Sequence, residues 1–257
     1  MKTDNIKLVN DSFAVQAANF ENRDLNFSKE EYLTYTLSEV NPGKEDVMLE
    51  VAAGTCVCGR SFASHVKQVV CLDATVPMLQ VGQQEAEKQH IGNMIFVKGY
   101  AQELPFLDRS FDIVFSRLAF HHFTDTKQAF SEMVRVLRPS GKLVLIDMEA
   151  AQEELRRTED EIETMRDPSH VRNLSKQEMD ALFSENGLTI VKSETTQIEQ
   201  HLDRWMALTK TPEPVQKEII FRMKEEIAGR AKTGFAPYEK GGEICFKHRW
   251  VLTIGTR

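Results

Sequence analysis

Cysteine, tryptophan and long apolar runs are all scarce in this chain of 257 residues, which holds four cysteines and two tryptophans. No stretch approaches the ~20 consecutive apolar residues of a membrane span, so none is expected. Cys56, Cys58, Cys71 and Cys245 show no paired spacing. They offer neither a disulfide framework nor a second pair to complete a zinc site, which points to a reducing cytoplasm and no metal. No apolar h-region follows Met1-Lys2-Thr3, so no secretory signal is expected. Basic residues are outnumbered 39 to 32, a net charge of −7, and they form no stripe. Wide nucleic-acid contact is therefore disfavoured, and a small molecule is the expected partner. Repeats, low-complexity tracts and linkers are missing too, so residues 1–257 read as one domain.

What is present is a series of short apolar runs alternating with helical patterns. Strands are expected at 47–51, 68–72, 94–97, 111–115 and 142–146, the second ending in Asp73 and the fifth at Asp147. The helix after the second strand has Thr75 as its cap and Pro77 in its first turn. Asp125 to Leu137 carries Ala129, Phe130, Met133, Val134 and Leu137 at helical spacing. This alternation predicts an α/β fold, Rossmann-like, with a seven-stranded, mostly parallel sheet, helices on both faces and the last strand antiparallel. N-terminal helices occupy 1–45, with one helix over about 7–23 and a capping box at Ser28…Glu31 opening another. The core occupies 46–148. From 149 to 257 come a charged helix, a capping box at Ser175…Glu178, a strand over 188–196, a helical insertion (198–208 and 215–227) and a last strand over 244–254.

The chain is organised around Glu50-Val51-Ala52-Ala53-Gly54-Thr55-Cys56-Val57-Cys58-Gly59. An apolar strand ends in an acid, a turn of small residues follows, and a helix begins, leaving its amides free for a ligand. The turn has the outer glycines of G-x-G-x-x-G but Cys56 at the middle place, where a pyrophosphate needs a bare backbone. Asp73, 19 residues after Gly54, offers two oxygens to the hydroxyls of a ribose. A plain strand–helix turn capped by an acid is the bland alternative. Glu50 suits a ligand bearing an ammonium, which favours S-adenosylmethionine over a dinucleotide.

Further along, Ala101-Gln102-Glu103-Leu104-Pro105-Phe106, Ser110-Phe111-Asp112-Ile113-Val114, Ser116-Arg117-Leu118-Ala119-Phe120-His121-His122-Phe123 and Glu132 to Leu143 follow in order. This series resembles the class I S-adenosylmethionine-dependent methyltransferases. Within them it is similar to the small-molecule branch that includes the ubiquinone/menaquinone C-methyltransferases. The resemblance covers about residues 9–148. It implies Glu50 near the methionine ammonium, Ala52, Ala53, Gly54 and Thr55 as backbone floor, and Asp73 on the ribose. It also implies Ala74 and Met78 beside the adenine, Ala101 and Gln102 at its edge, and Ser116 and Arg117 beside the methionine. Cys56 and Tyr100 depart from the family pattern, which carries a glycine and often an acid there.

A sulfonium methyl is already activated, so a base is needed only where the acceptor must lose a proton, and histidine is the usual one. His121 and His122 follow the fourth strand at the sheet's ligand-binding edge, and either is a candidate base or a locally packed turn residue. Arg166-Asp167-Pro168-Ser169-His170 reads as an acceptor wall, with His170 a third catalytic candidate, or as a helix stop with a local ion pair. Trp205 reads as core of the inserted helices, and Lys247, His248 and Arg249 as solvent-facing or, as the lesser alternative, as contacts for an acidic acceptor. The N-terminal segment, with Phe13, Phe20, Phe27 and Tyr32, is expected to close over the site as a lid. Competing functions are a non-catalytic S-adenosylmethionine-binding protein and a nicotinamide-dependent oxidoreductase. The acceptor, and the choice between monomer and homodimer, stay open.

Overall fold

The computed structural model describes residues 2–17, 21 and 29–257, without the side chains of 2–4. Phe20, Phe27 and Ser28, named above for the lid and the capping box, lie outside the described residues. The parallel part of the sheet is built from β1 (Val47–Val51), β2 (Gln68–Asp73), β3 (Met94–Lys98), β4 (Phe111–Arg117) and β5 (Leu137–Met148), in the order β3-β2-β1-β4-β5. Next to β5 lies β8 (Glu243–Thr256), antiparallel, and outside it β6 (Thr189–His201), antiparallel to β8. The parallel set and the reversed last strand are as the sequence led one to expect.

Three boundaries differ. Among the described residues the sheet has eight strands rather than seven, because β7 (Tyr238–Lys240) folds back onto the start of β8. Gly241 and Gly242, both at positive φ, make the two-residue hairpin turn that does this. β6 continues to His201, so residues 198–201 extend a strand instead of opening a helix. Ile198 earns its strand place by packing with Met148 and Trp250. The N-terminal helix, α1 (Lys2–Gln16), begins before the expected residue 7.

Alternate strand residues face opposite helical layers. Met48, Ile113 and Phe115 point toward Val40 of α2 (Glu30–Val40) and Phe62 of α3 (Val57–Ala63). Leu49, Val51 and Val114 point toward Phe130 and Met133 of α5 (Thr126–Val136) and Phe183 of α7 (Lys176–Glu185). Phe62, Phe115, Phe130 and Phe183 are fully buried, each contributing about 1.5–3 kcal/mol of apolar transfer. Asp125 caps α5 by accepting the Gln128 amide, and the Ser175–Glu178 capping box opens α7 as expected. Thr75 stands at the cap of α4 (Val76–Lys88), but its hydroxyl donates to Asn10 of α1 at 3.1 Å and caps nothing.

β5 pairs with β8 only as far as Met148↔Trp250. Beyond that, Gln197–His201 of β6 pair with Arg249–Cys245 of β8 as a ribbon that rises past the carboxyl edge of the parallel strands. α6 (Glu153–Arg166), α8 (Leu202–Leu208) and α9 (Glu213–Ile227) pack around it.

Candidate active site

The floor starts where β1 ends. Ala52, Gly54 and Cys56 all take left-handed backbone (φ 54°, 54° and 60°), alternating with ordinary residues. Only glycine adopts this freely; for Ala52 and Cys56 it costs roughly 1–2 kcal/mol each. Cys56 sends its side chain away from the ligand space, into a buried cluster with Ala63, Val66, Val69, Cys71 and Leu79. Gly82 of α4 makes the room: a Cβ there would sit 2.8 Å from the Thr55 carbonyl and 3.0 Å from Cys56 Sγ. The missing middle glycine therefore leaves the floor bare.

Gly59 shows why the last glycine of the turn is needed. A Cβ there would lie 2.7 Å from Glu50 Oε2 and 2.8 Å from Cys71 Sγ. With glycine, the amide at the start of α3 donates to Glu50 Oε2 at 2.8 Å. Burial pushes the Glu50 carboxyl up to about 7, against the pull of the Gly59 amide, the Cys71 thiol, Arg60 and Arg117. A buried acid of this kind fits a cationic ligand group. At the end of β2, Asp73 Oδ2 accepts the Gly54 amide and Oδ1 the Thr75 amide, each at 2.7 Å. Burial raises its pKa while these amides oppose the rise. Asp73 also lines the cavity, where its carboxylate oxygens can accept from a vicinal diol.

Across the cavity the site is made of side chains. Asp147, at the end of β5, clamps the 3-10 turn Phe120–His122. Its Oδ2 accepts the Ala119 and Phe120 amides at 3.0 and 2.6 Å, and its Oδ1 meets His121 Nδ1 at 2.6 Å. Burial depresses the His121 pKa, but the charge and hydrogen bond of Asp147, aided by Glu163 and Asp167, outweigh it and the net direction is up. With Nδ1 engaged, Nε2 is the nitrogen His121 has left for a ligand. His122 Nδ1 lies 3.1 Å from Ser169 Oγ, and burial and the His121 charge bring its pKa down to about 3. Arg166 lays its guanidinium over Trp205 at 4.5 Å, and donates through Nε to the Trp205 carbonyl and through Nη1 to Glu163. Glu163 also meets His248 Nε2 at 3.2 Å.

Both regions open into one cavity of about 500 Å³. Glu50, Ala52, Ala53, Gly54, Thr55, Asp73, Ala74, Met78, Ala101, Gln102, Arg117, His121 and His122 all line it, as do Tyr100, Arg166 and Asp167. Two expected site residues do not. Ser116 is buried beneath the floor, its hydroxyl donating to the Val51 carbonyl at 3.0 Å, so it ties β4 to β1. His170 sits behind the wall, bonded through Nε2 to Asp160 at 2.8 Å, its ring 5.7 Å from that of His121. His248, expected in solvent, turns inward and lines the cavity, because its Glu163 partner is buried. Lys247 is exposed as expected. Trp205 is core, packed on Phe235 and Phe246, and also lines the cavity. α1 contributes Asn5, Ile6, Val9, Phe13 and Gln16 to the wall, and Tyr32 lies nearby against Trp250. The sequence reading missed Asp147 and Trp250; the one available signal was that Asp147 ends its strand as Asp73 does. Among the described residues there is no group of three or more potential metal ligands, and no helix is long and apolar enough to cross a membrane.

Comparison with known proteins places this geometry. Residues 49–145 match the methyltransferase domain family. The chain is 33% identical over 233 residues to the uncharacterized methyltransferase YcgJ of Bacillus subtilis, spanning 90% of this chain and 92% of that protein. The crystal structure of YcgJ superposes with a TM-score of 0.80 over 88% of this chain and 97% of its own, at 29% identity. The ubiquinone/menaquinone biosynthesis C-methyltransferase UbiE of Ectopseudomonas mendocina is 37% identical over 118 residues, 44% of this chain and 45% of that one. With a methyltransferase relative along nine-tenths of its length, and the fold and glycine turn to match, this chain belongs to the class I methyltransferases.

Proposed function

We propose that the protein binds S-adenosylmethionine over the Glu50–Asp73 floor and transfers its methyl group to a small molecule held beside His121. The observation that carries this reading is the single cavity joining a buried acid and a ribose-ready carboxylate to an aspartate-held histidine. The residues present fit the cofactor. Glu50 is a buried acid with room for an ammonium, and no heavy atom lies within 4 Å of the place a Cβ would take on Gly54. When bound, the cofactor supplies a methyl group already activated on a sulfonium.

The chain's own residues do the rest. Glu50 holds the ammonium, Asp73 the ribose hydroxyls, and Tyr100, Ala101 and Gln102 border the base. Fixing acceptor and methyl group in line is worth about 7–11 kcal/mol of barrier. His121, its Nδ1 proton tied to Asp147, receives the acceptor's proton at Nε2, and the Asp147 carboxylate stabilises the imidazolium that forms. The groups facing His121 are Asp147 on β5, Glu163 and Asp167 at α6, the rings of His122 and His170, and His248 on β8. Their net effect raises its pKa, so the basic form, and with it the rate, grows as pH rises through that raised value. The four free, buried cysteines suit work in the cytosol.

Calorimetry with S-adenosylmethionine and S-adenosylhomocysteine tests the reading. Micromolar binding of both, with no heat from NAD, is the expected result; no binding at millimolar ligand overturns it. Methyl-labelled cofactor incubated with cell extract then separates an enzyme from a binding protein. Transfer of label to a low-mass compound is expected.

A further inference from the structure

Asp167 follows α6 where three parts of the molecule meet. Its Oδ1 accepts the Ser169 hydroxyl at 2.6 Å, the Ser169 amide at 3.0 Å and the Ser12 hydroxyl at 2.9 Å. Its Oδ2 accepts Gln16 Nε2 at 3.2 Å, and Gln16 also donates to Ser12 Oγ at 2.8 Å. Ser12 and Gln16 belong to α1, so one carboxylate holds the covering helix and the serine beside His122. Asn5 of α1 adds a bond to the His122 carbonyl at 3.1 Å.

Counting protons fixes the state of His122. Asp167 stays ionised: burial opposes this, but the Arg166 charge and the bonds from the Ser169 hydroxyl and amide hold it below the usual carboxylate range. An ionised carboxylate only accepts, so the hydroxyl proton of Ser169 goes to Asp167. Toward His122, Ser169 Oγ can then only accept, and the proton on their 3.1 Å contact belongs to His122 Nδ1. His122 is therefore the Nδ1–H tautomer, with a bare lone pair on Nε2. If α1 leaves, Asp167 loses the Ser12 and Gln16 donors and water reaches it in their place. Unpinned from α1, the Asp167 carboxylate turns toward water, and the Ser169 hydroxyl it releases donates to His122 Nδ1, whose ring proton is exchanged through water to Nε2.

We propose that Asp167 is a positioning residue that couples docking of α1 to the tautomer of His122, so that His122 offers Nε2 as a hydrogen-bond acceptor only when the site is covered. The consequence for substrate choice rests on the methyltransferase reading. An acceptor that donates a hydrogen bond to His122 is held in the closed form, and by linkage it tightens α1 in turn. The coupling itself does not need that reading.

Two measurements on the full-length protein test it from opposite ends. Long-range proton–nitrogen NMR of histidine-labelled protein reads the His122 tautomer, assigned through His122→Gln. In Ser12→Ala/Gln16→Ala, His122 is expected to move from Nδ1–H toward Nε2–H while the His121 signals hold. Hydrogen exchange of the α1 amides is expected to rise roughly five- to tenfold in Ser169→Ala, as for one lost hydrogen bond on the Asp167 carboxylate that holds the helix, and Ser169→Thr is expected to restore protection. Unchanged His122 in the double variant, or unchanged α1 exchange in Ser169→Ala, overturns the coupling. The unmoved His121 signals and the threonine rescue show that the fold is intact. Calorimetry with S-adenosylhomocysteine on the unaltered protein is scored separately, so a coupling that stands without cofactor binding condemns only the methyltransferase reading.

Discussion

Glu50 and Asp73 are held by backbone amides no more than 19 positions away, those of Gly59, Gly54 and Thr75. Across the cavity, His121, His122 and His248 are held by side chains 26, 47 and 85 positions away. The floor is a product of topology, since any chain that makes this strand–turn–helix brings those amides with it. The opposite wall is a product of particular side chains, each of which can change alone.

Breaking the wall at one atom should have the largest effect. Asp147→Asn keeps the shape but removes the charge that orients His121, and methyl transfer is expected to fall about 10²–10⁴-fold, the range of a lost general base. Cofactor affinity should hold within about threefold, near 0.6 kcal/mol; a parallel loss measured by calorimetry would erase the distinction between the halves.

Breaking the floor should separate binding from stability. The folded-state pKa of Glu50 is raised to about 7, so its contribution to stability is present below the unfolded value and is lost as pH rises through 7. Glu50→Gln is thus expected to be more stable than the parent at pH 8 by up to about 3 kcal/mol, at about 1.4 kcal/mol per pKa unit. Near pH 4 the two should match, as denaturant unfolding at both pH values will read. The same variant should bind S-adenosylmethionine at least tenfold more weakly. A smaller effect is expected at the ribose. Asp73→Ala should cost about 1–3 kcal/mol of cofactor affinity through lost charged hydrogen bonds, and unchanged affinity would remove Asp73 from the site.

The smallest effect sharpens the comparison. Cys56→Gly relieves left-handed strain but vacates a packed position, so stability should move by less than about 1 kcal/mol. Cofactor affinity should not move, because the cysteine side chain points away from the cavity.

How far the sequence revealed the molecule follows the same division. The strands, the glycine turn and Asp73 were legible because each depends on neighbours a few positions away. Ser116 and Arg117 show where legibility stops. They are consecutive on β4, so they face opposite ways, and only the register with β1 decides that Arg117 reaches the cavity while Ser116 bonds Val51. His170 and His248 exchanged their expected surroundings for a similar reason. The packing of α6 against β8 gives His248 a buried glutamate and seats His170 behind His121, and no local pattern encodes that packing. Residues 198–201 hold a single apolar side chain, Ile198, which marks neither helix nor strand, and pairing with β8 made the choice.

The ribbon of β6 and β8 has a consequence for descent. Past Met148↔Trp250 the two strands answer to each other and to α8, and no longer to β5. Mutations between Gln197 and Arg249 can therefore accumulate without disturbing the register of the parallel strands. On the function proposed above, lineages that inherit the same floor are free to drift apart along this ribbon, each arriving at its own acceptor while the machinery for the methyl donor is passed on unchanged.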